Sequence, residues 1–108
     1  MTNIKQVVAL IVSLLSAVAY SADFNVRDFG AKGNGTAKDT AAIQSAIDTA
    51  TAKGGGRVVF ADGTFLSGAL RLKSGVELHI DRTATLLASP DITDFPDWPD
   101  AKHVVKEN

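Results

Sequence analysis

The sequence predicts an all-β fold, a parallel β-helix of which only the first coils are present, preceded by one helix. After Gly54 the chain consists of short apolar runs, separated by breaks such as Asp62-Gly63 and Ser74-Gly75. Strands that short, joined by connections that short, build either hairpins or the coils of a β-helix. The runs are Val58–Phe60, Thr64–Leu66, Ala69–Leu72, Val76–Ile80 and Thr85–Ala88.

The spacing of these runs favours the β-helix over hairpins. Val58 to Val76 and Leu70 to Leu87 are separated by about 18 and about 17 residues, near the roughly 20-residue period of a solenoid coil. Only Asp62-Gly63 among the breaks has the composition that hairpins prefer. Residues 22–108 would then hold about two coils, with an apolar row left uncovered at the far end. Spacing alone leaves the hairpin alternative open.

Residues 1–21 resemble a secretory signal peptide. Lys5 supplies the positive start, and Val7 to Leu15 is apolar except for Ser13. Small residues then allow cleavage after Ala19 or after Ser21. We therefore expect a secreted or periplasmic protein with no membrane attachment after cleavage. A buried N-terminal helix is the alternative interpretation.

Composition excludes several classes of protein. The formal net charge is −1, and removal of Lys5 with the signal peptide makes it about −2, which is no footprint for nucleic acid. The chain has no cysteine, so it carries neither a disulfide nor a lipid-anchored thiol. Stability must therefore come from apolar burial.

One amphipathic helix is predicted near residues 40–52. Asp39 or Thr40 can cap its first turn, Lys53 lies at its end, and Gly54 can adopt the left-handed C′ conformation. Its apolar face consists mostly of alanine and isoleucine: Ala42, Ile43, Ala46, Ile47 and Ala50. A helix placed just before the first coil is positioned to cap the open end of a solenoid.

The segment before the helix is predicted as a strand and a glycine loop. Residues 24–29 alternate apolar and polar side chains, which predicts a half-buried strand. The glycines of residues 30–35 predict a loop. A phosphate-binding loop is the alternative, but Thr36-Ala37 stands where a P-loop needs Lys and Ser/Thr, and Lys38 stands where a dinucleotide fingerprint needs Gly.

Several segments together resemble the pectin-lyase-like β-helix superfamily. The opening 24–35, the helix at 39–47, and the first-coil segments 54–60 and 63–68 carry this resemblance. Residues 70–78, with 86–89 and 94–96, are similar to family 28 glycoside hydrolases, the polygalacturonases and their relatives. Ala61 departs from the family, which usually has proline before this turn.

The resemblance implies a right-handed parallel β-helix with an N-terminal capping α-helix. It implies that 22–108 is the N-terminal part of that domain, truncated at its C-terminus, in an enzyme that hydrolyses pectic polysaccharide with inversion. The family's paired-Asp, Asn-Thr-Asp, Gly-His-Gly and Arg-Ile-Lys motifs do not occur in residues 24–108. We therefore expect no catalytic residue, cofactor or metal site in this chain, and a monomer when the domain is complete.

A few polar residues are candidates for function. Glu77 and His79 share one strand face, as an acid/base pair or as outward polar residues. Arg71 and Lys73 could contact an anionic uronide. Phe95 and Trp98 could cover a coil or border a sugar site. Four aspartates spaced by three residues, Asp91, Asp94, Asp97 and Asp100, suggest either a calcium site or a solvated loop.

Three other functions stay open from the sequence. The first is a non-catalytic β-helix module that binds carbohydrate or serves at a surface. The second is a rhamnogalacturonan-active or pectate-lyase-like enzyme of the same superfamily. The third, a small nucleotide-binding α/β domain, is disfavoured because no second helical pattern follows Gly54.

Overall fold

A computed structural model describes residues 22–97, so the predicted signal peptide and cleavage sites lie outside the described residues. In chain order the elements are β1 (Asp23–Asn25), a 3₁₀ helix (Val26–Phe29), β2 (Asn34–Lys38), α1 (Thr40–Ala52), β3 (Gly56–Phe60), β4 (Gly63–Ser67), β5 (Val76–Ile80), β6 (Ala84–Ala88) and a second 3₁₀ helix (Ile92–Asp94). Within residues 22–97, no helix is long and apolar enough to cross a membrane.

The strands form two parallel sheets. Sheet A has the order β1-β3-β5 and sheet B the order β2-β4-β6. The chain alternates between the two sheets, and each round adds one parallel strand to both of them. The predicted parallel arrangement is therefore confirmed, and the hairpin alternative is wrong. The strands belong to three rounds, the first of which contains α1, and the expected number of about two coils did not count that capping segment.

The number of residues between paired strand positions is slightly larger than the spacing predicted from the apolar runs. Val58 pairs with Leu78, 20 residues later, and Leu66 pairs with Leu87, 21 residues later. The predicted repeats Val58–Val76 and Leu70–Leu87 were therefore out of register by two to four residues. Apolar residues alternate along both strands, so a repeat two residues short still matches apolar to apolar.

The first predicted strand is only partly a strand. β1 ends at Asn25, and residues 26–29 form a 3₁₀ helix. The Asn25 side chain caps this turn by accepting a hydrogen bond from the Arg27 N–H at 3.0 Å. Gly30 ends the turn with φ +100°, in the left-handed region. The predicted loop at 30–35 is also wrong at its end, since β2 already begins at Asn34.

Helix α1 has the predicted bounds but not the predicted cap. Its Ile43, Ala46, Ile47 and Ala50 side chains are fully buried. Asp39 occupies the N-cap position without a side-chain capping bond. Its carboxylate instead accepts the N–H groups of Lys32 at 2.9 Å and Gly33 at 3.0 Å. The C-terminal prediction is confirmed, since Gly54 has φ +94°.

The core fills the space between the sheets and α1. Val58, Phe60 and Phe65 are fully buried, and the two phenylalanine rings meet edge to face with centroids 5.4 Å apart. Leu78 and Leu86, their neighbours in the last round, are only partly buried. Burial therefore decreases toward the last round among the described residues.

The predicted strand at 69–72 does not form. The Gln44 side chain takes both backbone groups of Arg71: the Arg71 N–H donates to Gln44 Oε1 at 2.8 Å, and Gln44 Nε2 donates to the Arg71 carbonyl at 3.1 Å. The Gln44 side chain thus forms the backbone hydrogen bonds of Arg71 that a neighbouring strand would otherwise form.

Candidate functional site

Glu77 and His79 lie on the outer face of sheet A, as the sequence predicted. Their strand neighbours Leu78 and Ile80 pair with Val58 and Phe60, both fully buried, so the apolar side chains face inward. Glu77 is exposed and His79 is partly buried. Both therefore belong to an outward sheet face.

The surroundings of Glu77 form a ladder of charges across sheet A. Asp23 pairs with Arg57 and Arg57 pairs with Glu77 in the register. Arg57 donates two hydrogen bonds to Asp23, from Nε to Oδ1 and from Nη2 to Oδ2, both 2.8 Å. These bonds lower the pKa of Asp23 and raise the pKa of Arg57. The arrangement is an alternating acid–base–acid row, in which Glu77 is the register neighbour of Arg57.

A shallow groove runs between α1 and the connection 68–75. Its volume is about 440 Å³, and it is lined by Thr40, Ala41, Gln44, Asp48, Ala69, Arg71 and Lys73. Three helix residues fasten the connection: Thr40 Oγ1 accepts from the Gly68 N–H at 2.9 Å, Gln44 binds the Arg71 backbone, and Thr51 Oγ1 donates to the Ser74 carbonyl at 2.9 Å. The polar groups of the groove thus hold helix and connection together.

The two basic candidates lie along this groove. Lys73 Nζ is 2.6 Å from Asp48 Oδ1, and the hydrogen bond from Lys73 is the main cause of the lowered pKa of Asp48. Asp48 thereby offsets the charge that Lys73 would offer to a uronide. The Arg71 backbone is fixed by Gln44, and the residue is exposed. Arg71 and Lys73 are thus both exposed along the groove.

Two aspartates of the series, Asp91 and Asp94, form ion pairs with Lys38. Lys38 Nζ lies 3.3 Å from Asp91 Oδ2 and 3.0 Å from Asp94 Oδ1, and the hydrogen bond to Asp94, followed by that to Asp91, raises the pKa of Lys38. Ser89 also donates to Asp94. Among residues 22–97, no group of three His, Cys, Asp or Glu side chains is placed to hold a metal ion. The carboxylates of Asp91 and Asp94 thus join β2 to the last round. Asp100 lies outside the described residues.

The aromatic candidates have different outcomes. Phe95 is 41% exposed and lines an apolar hollow of about 240 Å³ with Leu70, Leu86 and Leu87. It lies against the coil, which supports the covering role. Trp98 lies outside the described residues.

The comparisons with known proteins agree with this geometry. Residues 24–93 match the family described as rhamnogalacturonase A/epimerase, pectate lyase-like. The chain belongs to this family. The predicted resemblance to the superfamily is therefore confirmed.

Individual known proteins are similar to this chain at 45–52% identity over part of its length. The exo-poly-α-D-galacturonosidase of Dickeya chrysanthemi is 45% identical over 73 residues, which are 68% of this chain and 12% of that protein. A mannuronan C5-epimerase of Azotobacter vinelandii is 52% identical over 62 residues, 50% of this chain and 3% of the epimerase. The structure of the Yersinia enterocolitica family 28 exopolygalacturonase has a TM-score of 0.68 at 46% identity, covering 72% of this chain and 13% of that one. The chain thus spans only a small part of these relatives.

The structural roles of two residues, Arg27 and Asp39, were not predicted from the sequence. Arg27 donates from Nη1 to the Lys32 carbonyl at 2.8 Å and from Nη2 to the Asp62 carbonyl at 2.6 Å. Asp39, 3% exposed, binds the backbone of the glycine loop. A charged residue beside several glycines was the available indication, because glycine lets a backbone approach a side chain closely.

Proposed function

We propose that this chain is the opening section of an exported glycoside hydrolase that acts on pectic polysaccharide. One observation carries the proposal: similarity to galacturonosidases extends over 68–72% of the chain, whereas similarity to the epimerase covers 50%.

In this proposal the chain supplies architecture and not chemistry. The family's acid motifs are absent from residues 24–108, so inverting hydrolysis would be carried out by later coils of the same enzyme. An inverting pair needs carboxyl groups about 6.5–9.5 Å apart, on opposite sides of the sugar. The described ladder instead holds Asp23 against Arg57 on an outer sheet face.

Helix α1 would act as the cap at the start of a right-handed coil. Its buried face shares one apolar cluster with Val26, Val58 and Phe60. Terminal rounds of a solenoid need such cover because no preceding round buries their core. Cleavage of residues 1–21 during export would leave this capped start as the N-terminus of the mature protein.

A chimera tests the substrate class. Residues 24–93 would replace the matched segment of the Dickeya galacturonosidase, and in parallel the matched segment of the Azotobacter epimerase. We expect the first chimera to hydrolyse polygalacturonate and the second to lose its activity, because coil contacts beyond the shared opening differ. The isolated chain should show no turnover, and a host secretion assay should yield a mature N-terminus at Tyr20 or Ala22.

The mannuronan epimerase relationship is the second candidate, favoured by the 52% identity. A folded but inactive galacturonosidase chimera beside an active epimerase chimera would reverse the choice. Two folded but inactive chimeras would favour a non-catalytic module. Circular dichroism on both proteins separates these outcomes from misfolding.

A further inference from the structure

Asn34 and Gly35 begin strand β2, in the first round of the coil. The Asn34 side chain turns back along its own strand and accepts three hydrogen bonds at Oδ1. The donors are the Thr36 N–H at 3.1 Å, the Thr36 hydroxyl at 3.1 Å and the Ala37 N–H at 2.9 Å. Asn34 is itself exposed. Three donors thus converge on one amide oxygen at the surface of the protein.

This arrangement of donors favours attack on the Asn34 amide carbon. When a nucleophile adds to a carbonyl carbon, negative charge develops on the oxygen, and donors already in place about 2.7–3.1 Å away stabilise that charge. All three donors to Asn34 Oδ1 lie in this range. The backbone nitrogen of Gly35 is a nucleophile that the chain itself keeps beside the amide, so the reaction is intramolecular.

The backbone around Gly35 leaves room for this attack. Residue 35 has no side chain to shield its own nitrogen, and an added Cβ would have its nearest neighbour, in Thr64, at 3.6 Å. Asn34 pairs with Thr64 and Lys38 with Leu66, but the register is irregular between these two pairs. Gly35 therefore lies in the part of β2 that a continuous strand ladder does not hold.

We propose that Asn34-Gly35 is a self-modification site, at which the Asn34 side chain closes to a succinimide. In this step the Gly35 nitrogen forms a bond to Asn34 Cγ and the bond from Cγ to the side-chain nitrogen breaks. The proton of the Gly35 N–H leaves with that nitrogen as ammonia. Water then adds to either carbonyl of the ring and opens it to aspartate or to isoaspartate. The exposed position of Asn34 gives water and ammonia a path.

The two products should affect β2 differently. Aspartate keeps an acceptor oxygen for the same three donors and caps the turn as before. Isoaspartate adds one methylene to the main chain beside Gly33, whose carbonyl accepts the Thr64 N–H at 3.0 Å, so it shifts the start of β2 against β4. Asn34→Asp should therefore melt near the natural chain, and an aged sample rich in isoaspartate should melt below both.

Ageing of the natural chain in buffer and in urea tests the proposal, with circular dichroism to verify folding and peptide mapping to detect both products. Residue 34 should convert about tenfold faster in the folded chain, because unfolding removes the preorganised donors. Thr36→Val should slow conversion in the folded chain about 2- to 10-fold, the effect of one hydrogen bond, and leave the rate in urea unchanged. Thr36→Ser keeps the hydroxyl donor and should keep the rate. Conversion that is no faster in the folded natural chain than in urea would overturn the proposal, and so would a folded Thr36→Val variant that converts at the natural rate.

Asn25 is an internal control in the same samples. Its Oδ1 accepts the Arg27 N–H at 3.0 Å, but the next residue, Val26, is β-branched and fully buried. Residue 25 should therefore remain asparagine while residue 34 converts. Asn34→Gln should abolish the products at residue 34, because its longer side chain would have to close a less favourable six-membered ring. Equal conversion at residues 25 and 34 would show that the surroundings of Asn34 do not direct the reaction.

Discussion

The guanidinium of Arg27 lies over the ring of Phe65, 5.1 Å from its centre. The same side chain donates hydrogen bonds to the Lys32 and Asp62 carbonyls. Arg27 therefore joins three parts of the chain: the glycine loop, the turn between β3 and β4, and a fully buried aromatic residue. A single side chain connects the first two rounds of the coil.

Arg27→Ala should lower the free energy of unfolding by about 2 kcal/mol, because hydrogen bonds from a charged donor and the contact with the ring are both lost. Arg27→Lys is the matched control. It keeps the charge over Phe65 but cannot serve two carbonyls in fork geometry, so its loss should be intermediate. Urea unfolding followed by circular dichroism measures both. Equal stability of the natural and Ala variants would contradict this role.

The glycines beside Arg27 explain how it fits. A Cβ at Gly33 would lie 2.7 Å from Arg27 Nη2 and 2.9 Å from Phe65 Cε1, whereas a Cβ at Gly35 would find its nearest neighbour, in Thr64, at 3.6 Å. Both glycines have positive φ, +63° and +75°. The two positions therefore share backbone strain but differ in available space.

Gly33→Ala should be more destabilising than Gly35→Ala, by about 1–3 kcal/mol, because only the first overpacks its surroundings. The strain of the left-handed conformation is common to both variants and cancels in the difference. Thermal unfolding of the two proteins at one concentration provides the comparison. If Gly35→Ala is the more damaging, close approach of Arg27 is not what requires glycine at residue 33.

The sequence predicts well those elements of the structure that are determined by residues adjacent in sequence. The bounds of helix α1 were predicted because five apolar residues recur along one face with the helical period. β5 was predicted over its full length by period-two alternation, which also placed Glu77 and His79 on one face. Both signals need only neighbouring residues.

The wrong predictions involve partners distant in sequence. Residues 69–72 alternate like a strand, but Gln44 takes the Arg71 backbone. Asp39 could cap α1, but it binds the glycine loop. The Asp23–Arg57–Glu77 ladder likewise depends on strand register, which short alternating runs specify only to within two residues. Local patterns cannot decide between such competing partners.

The Asp48–Lys73 ion pair predicts a pH dependence. The hydrogen bond from Lys73 holds the pKa of Asp48 below its ordinary value. A carboxylate with a lowered folded-state pKa contributes stability above its unfolded pKa, roughly 3.9, and loses it as pH falls through the folded value. Asp48→Asn should therefore melt slightly below the natural protein at pH 7, and the gap should close in acid.

Melting temperatures of both proteins between neutral pH and about pH 2 test this dependence. Lys73→Gln provides the matched background, because Asp48→Asn should have little further effect once the ammonium group is gone. A gap that persists unchanged below the ordinary carboxylate range, or that is the same in the Lys73→Gln background, would show that the ion pair is not its cause.

Burial of Ile47 makes the strongest prediction about α1. Ile47 is 0% exposed within the cluster that joins the helix to Val58 and Phe60. Ile47→Asp places a carboxylate there, at a cost of several kcal/mol, because no partner replaces its lost hydration. Ser45→Asp, on the exposed side of the same helix, adds the same charge and should change stability little. Thermal unfolding should therefore show Ile47→Asp largely unfolded or aggregated and Ser45→Asp near the natural melting temperature. Equal, sharp and reversible transitions in both variants, independent of concentration, would mean that α1 is not needed to close the core.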